Sequence, residues 1–133
     1  MEEAIIVLME KEKDTGKFIG EKGSYTIEKG DLVHSFYVLK DNKGEEVYIT
    51  LTTDKDLKDW EYTAFYDYIN LDNLKSFYED VEEVDDEFNP AFRFKIDYNE
   101  EEMEEKLNQF IDVYYEEILK TYDEIKDLEE EYI

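Results

Sequence analysis

Asp14-Thr15-Gly16 places a carboxylate ahead of a hydroxyl and a glycine, the arrangement in which one carboxyl shares a proton with a second and activates water. That chemistry needs an apolar strand before the triplet and a second copy of it. Here a single copy sits among lysines and glutamates, so it reads as a turn. Asp54, Asp56 and Asp59 lie close enough to line a calcium loop. Lys58 occupies its fifth position, no glycine occupies the sixth, and Phe65 stands where a bidentate glutamate is required. His34, the only histidine, would serve as a base only if folding brought carboxylates to it; its expected place is a half-exposed position in the strand "LVHSFYV". The chain has no cysteine, which removes thiolate nucleophiles, thiolate metal sites and disulfides. It also lacks a glycine-rich phosphate loop and a serine in a nucleophile elbow. No catalytic, cofactor-binding or metal-ligating residue is therefore assigned. An enzyme built on His34 and converging carboxylates is the least favoured reading.

Two other groups of residues could bind. "DWEYTAFYDYIN" (Asp59–Asn70) is dense in aromatic rings. Trp60, Tyr62 and Ala64 alternate with Glu61 and Thr63, and these residue types favour strands, so the stretch is expected to be a strand with a bulge near Ala64 and Phe65. On that strand Trp60, Tyr62 and Tyr66 form either part of the core beneath a helix or an exposed aromatic platform. The core is the preferred reading, because tyrosine and tryptophan suit a boundary where a polar tip reaches water. The second group is acidic: Glu79, Asp80, Glu82, Glu83, Asp85, Asp86 and Glu87 in one stretch, and Glu116, Glu117, Asp123 and Glu124 near the C-terminus.

Positioning these groups falls to elements whose periodicity changes midway. Ala4–Met9 is an apolar run of strand length followed by turn residues "KDTGK", which predicts a hairpin with Gly16 at positive φ. Gly20, Gly23 and Gly30 are expected to break the chain around "SYTIE", and "DNKG" separates the strand "LVHSFYVLK" from "EEVYITLTT". Val47, Ile49 and Leu51 alternate with Tyr48, Thr50 and Thr52, and Phe92, Phe94, Ile96 and Tyr98 alternate with Arg93, Lys95 and Asp97. Both are the period of a half-buried strand. Leu74, Phe77, Tyr78, Val81 and Val84 are spaced for a short helix, so 72–87 is expected to be either a short helix or an acidic loop. From Asn99, taken as an N-cap, the period becomes helical. Leu107, Ile111, Tyr114, Ile118, Thr121, Ile125, Leu128 and Tyr132 make one stripe, and Met103, Phe110 and Tyr122 widen it. A continuous helix over 99–131 would be about 45 Å long, against about 30 Å for a small domain. Its protruding end would need cover, which predicts a homodimer through the C-terminal helix. The expected fold is α+β: one domain, 1–133, with an antiparallel sheet of five or six strands packed against a long C-terminal helix.

Thirty-nine acids against 15 bases give a net charge of −24, most of it beyond residue 50. So acidic a surface repels phosphate backbones and anionic headgroups, so direct nucleic-acid or membrane partners are disfavoured and a basic protein is favoured. The N-terminus fits neither a signal peptide nor a membrane span, which places the chain in the cytoplasm. "MEEAIIVLMEKEKDTGKFIGEKGSYTIEKGD" together with "LTTDKDLKDWEYTAFYDY" resembles a family of small acidic clostridial proteins of unknown function. The resemblance implies a bacterial, cytosolic protein and carries no catalytic or binding residues. The leading expectation is a non-enzymatic interaction or scaffold protein that works through its acidic C-terminal surface and the acids at Glu79–Glu87. The alternative is a nucleic-acid mimic that inhibits a DNA-binding or defence protein. The acids of 99–133 alone are too sparse to copy a duplex, so the Glu79–Glu87 acids would have to align with them.

Overall fold

A computed structural model describes all residues, 1–133. Six strands form one sheet: β1 (Ala4–Glu12), β2 (Phe18–Ile27), β3 (Val33–Asp41), β4 (Gly44–Leu51), β5 (Asp80–Val84) and β6 (Ala91–Ile96). Their order across the sheet is β2-β1-β3-β4-β6-β5, and every neighbouring pair is antiparallel except β1 and β3. The β1–β2 hairpin closes with Gly16 at φ +71° and its N–H bonded to the Glu12 carbonyl at 2.8 Å. Asp41 closes the β3–β4 turn by accepting from the N–H groups of Lys43 and Gly44 at 2.8 and 3.0 Å.

Gly20 and Gly23 do not end a strand. They lie inside β2, beside the two places where its register against β1 slips. A glycine at a bulge lets the strand bend and continue, which explains why a glycine count alone misplaces the breaks.

The two clean alternations hold within the strands, although β6 ends at Ile96 and leaves Asp97 and Tyr98 beyond it. Val47, Ile49, Leu51, Phe92, Phe94 and Ile96 are buried and point to the same side of the sheet. Across that side lies α2 (Met103–Ile125), whose stripe Leu107, Ile111, Tyr114, Ile118, Thr121 and Ile125 is buried along its whole length. Phe110 connects the layers: its ring meets Phe94 edge-on at 4.9 Å and stacks on Phe77 at 5.4 Å.

Four local expectations are corrected. Asp59–Tyr68 is a helix, α1, and not a strand. Trp60, Ala64, Phe65 and Tyr68 follow a helical spacing, and Glu61 accepts the Lys58 N–H at 3.0 Å, one half of a capping box. This local start signal and the burial of Ala64 and Phe65 under α2 override the strand preference of aromatic residues. Second, residues 72–87 are neither an α-helix nor one acidic loop. A turn of 3-10 helix at Asp72–Leu74 is followed by β5, which is extended because it pairs with β6; Asp80 stands opposite Lys95 and Glu82 opposite Arg93. Third, Asn99 does not cap α2. Its side chain accepts from the N–H groups of Glu101 and Glu102, both at 3.2 Å, in a turn one step before the helix begins at Met103. Fourth, the rod breaks. After Ile125 the chain turns through Lys126–Leu128 into α3 (Glu129–Tyr132), which folds back on α1. At 23 residues α2 is about 35 Å long, and its apolar stripe is covered by its own chain. The protruding apolar end that called for a second helix does not exist.

Candidate interaction surface

The three aromatic residues sit on α1, each half-buried. Tyr66 reaches the β5–β6 turn: its hydroxyl accepts the Ala91 N–H at 2.9 Å and donates to the Val84 carbonyl at 2.8 Å, while its ring meets Phe92 edge-on at 5.4 Å. Tyr62 packs edge-on against Tyr66 and donates to the Glu87 carbonyl at 3.2 Å. Trp60 lies beside Tyr132 of α3 at 6.4 Å, and its indole N–H has no hydrogen-bond partner. These rings tie α1 to the sheet and to the C-terminal turn. They do not form an open platform.

The acids divide between two layers, with β5 in the sheet and α2 above it. Within the β5 group, Glu82 pairs with Arg93, Glu79 lies 3.6 Å from Lys95, and Glu87 lies 3.3 Å from His34, which is exposed on β3 as expected. Glu79 also shares a hydrogen bond with Asp97, and that second carboxylate raises its pKa above the usual range. Glu83, Asp85 and Asp86 are exposed and have no cation at ion-pair distance; Asp80, exposed as well, faces Lys95 across the β5–β6 ladder.

On the helix, Glu117 departs from its expected role. It is only 5% exposed, its carboxylate accepts from the Asn73 amide at 2.8 Å, and Lys120 lies 3.2 Å away. It fastens the 3-10 turn to α2 and is not part of an outward surface. The reason is its spacing: 117 lies three residues after Tyr114 and four before Thr121, both buried, and so shares their inward side. Asp123 pairs with Lys126 at 2.8 Å, while Glu116 and Glu124 are exposed and unpaired.

Three lysines are present beyond residue 98, and each is already held by an acid within one helical turn: Lys106 by Glu102, Lys120 by Glu117 and Lys126 by Asp123. No ion pair reaches Glu105, Glu116, Glu124 or the run Glu129–Glu131. Asp112 has Lys29 beside it, and Glu104 accepts the Thr26 N–H on the outer edge of β2. With Asn108, which bonds both the Glu28 N–H and the Thr26 carbonyl, it closes part of that sheet edge.

Sequence reasoning missed one cleft. It has a volume of about 200 Å³ and is floored by Phe77, Met103, Leu107 and Phe110, with Asp97 and Lys106 at its mouth. It depends on how the 75–78 segment crosses α2, which no periodicity specifies, and it is smaller than the roughly 300 Å³ at the low end of small-molecule sites. No three His, Asp or Glu side chains converge in a way that could ligate a metal, and no helix is long and apolar enough to cross a membrane.

These features define a class: a mostly antiparallel six-stranded sheet covered on one side by a long helix whose outer side is strongly acidic. The chain belongs to the family described as "Family of unknown function (DUF6762)", whose model matches residues 1–133. No curated protein and no solved structure matches it.

Proposed function

We propose that this protein is a non-enzymatic interaction protein that recruits a basic protein through the outward side of α2 and α3. The observation that carries this reading is the pairing of Lys106, Lys120 and Lys126 within the helix, because it leaves Glu105, Glu116, Glu124 and Glu129–Glu131 without local compensation. An acidic strip of this kind speeds encounter with a cationic partner and repels anionic ones. Its electrostatic reach is about 8 Å at physiological salt, so the partner must dock on the strip.

The test is affinity capture from native extract with the wild-type chain and with Glu116→Gln/Glu124→Gln/Glu129→Gln/Glu130→Gln. A basic protein retained at low salt, released at high salt and lost in the variant supports recruitment. Partners that are not basic, or that the variant retains equally in high salt, refute it.

A further inference from the structure

The opposite side of the sheet has no helix on it. Register places Ile5, Val7 and Met9 of β1 on this side, with Tyr37, Leu39 and Tyr48 beside them. Antiparallel sheets often leave one face to water, and that face is then polar. Here Ile5 is 72% exposed and Phe18, opposite Lys11 in the same layer, is 62% exposed. Tyr37 and Tyr48 stack at 5.6 Å in the middle, and the Lys11 ammonium lies 4.4 Å from the Tyr37 ring.

The charge of this face differs from that of the rest of the chain. Lys11, Lys13, Arg93 and Lys95 stand against Glu21, Asp41, Glu46, Asp80 and Glu82, with Glu79 and Asp97 added only at the rim. A molecule with a net charge of −24 thus carries one nearly neutral, aromatic, uncovered surface. We infer that a second copy of this chain covers it, the two sheets packing face to face.

Two magnitudes support a second copy as the occupant. Six strands at about 4.8 Å by roughly 20 Å of strand give a footprint of about 580 Å². Allowing for side-chain relief, two copies bury on the order of 1,200 Å², the lower end of stable interfaces. Sheets pack about 10 Å apart and each helix layer lies about 10 Å beyond its sheet, so the two acidic helix layers stand about 30 Å apart. That is more than three screening lengths at physiological salt. Face-to-face packing is therefore an arrangement in which two such acidic chains meet without opposing their charge.

The test is sedimentation velocity of the full chain at micromolar concentration, comparing wild type with Ile5→Glu, Met9→Glu and Tyr37→Glu, each checked for native circular dichroism. Leu119→Glu, on the exposed side of α2, serves as a control. The expected result is a dimer for wild type and Leu119→Glu, a monomer for the sheet variants, and association that strengthens with added salt. That salt response has the opposite sign to the one expected for a basic partner on the helices, so the two proposals fail separately. A monomeric wild type, a dimer that survives the sheet variants, or one lost only in Leu119→Glu overturns the inference. Ile5, already mostly in solvent, keeps the test independent of folding.

Discussion

Replacing Tyr66 by phenylalanine removes one oxygen and leaves the ring that packs on Phe92 in place. That oxygen serves both strands flanking the β5–β6 turn, accepting from the Ala91 N–H and donating to the Val84 carbonyl. Ala91 is 0% exposed, so its N–H cannot turn to water when the hydroxyl is gone. A lost neutral hydrogen bond costs about 1 kcal/mol, and a buried donor left unsatisfied adds about 1–3 kcal/mol. The expected loss is therefore about 2–4 kcal/mol, or a fall of roughly 8–15 °C in Tm for a domain of this size. The assay is urea unfolding followed by circular dichroism, with Tyr62→Phe as the internal reference. Tyr62 donates one bond, at 3.2 Å, to the Glu87 carbonyl, which belongs to a half-buried residue, and its loss is expected to cost about 1 kcal/mol or less. If Tyr66→Phe costs no more than Tyr62→Phe, the claim that α1 is fastened to the sheet through this hydroxyl is wrong.

Gly30→Ala should destabilise by about 1–3 kcal/mol through overpacking, because an added Cβ would come within 2.5 Å of the Ala4 Cβ; thermal unfolding checks it. Deleting residues 129–133 removes Tyr132, whose ring lies 6.4 Å from that of Trp60 and whose hydroxyl donates to Asp67 at 2.8 Å. Trp60 emission should shift to the red while the sheet signal in circular dichroism is retained, and an unchanged emission would show that the C-terminal turn does not cover the indole. Stability should also fall in strong alkali. Hydrogen bonding to Glu46 raises the Tyr48 pKa to about 12, and burial holds Tyr114, Tyr66 and Tyr122 above the ordinary phenol value of 10.0. The folded state then binds more protons than the unfolded one, so this contribution is intact below pH 10 and is lost as pH rises through the raised values. Phenolate absorbance should show these tyrosines titrating together with unfolding; full titration while the fold persists would contradict their burial.

Local periodicity made β4, β6 and α2 legible from the sequence. Each exposes one side and buries the other, and an alternation such as Val47, Ile49, Leu51 or a stripe such as Leu107 to Ile125 records that division directly. Composition likewise fixed the acidity of the helical side. Three features depended on contacts between distant residues. β5 is extended because it pairs with β6, which sets Lys95 and Arg93 opposite Asp80 and Glu82. Glu117 leaves the acidic surface because Asn73 waits across from it. Which aromatic residues stay in water depends on the side of the sheet that α2 covers, a contact such as Phe94 with Phe110 between strand and helix. A chain reports which residues share a side, since that is set by bond geometry within a few residues. It does not report what that side meets, because a contact between residues 73 and 117 leaves no trace in the spacing of either segment.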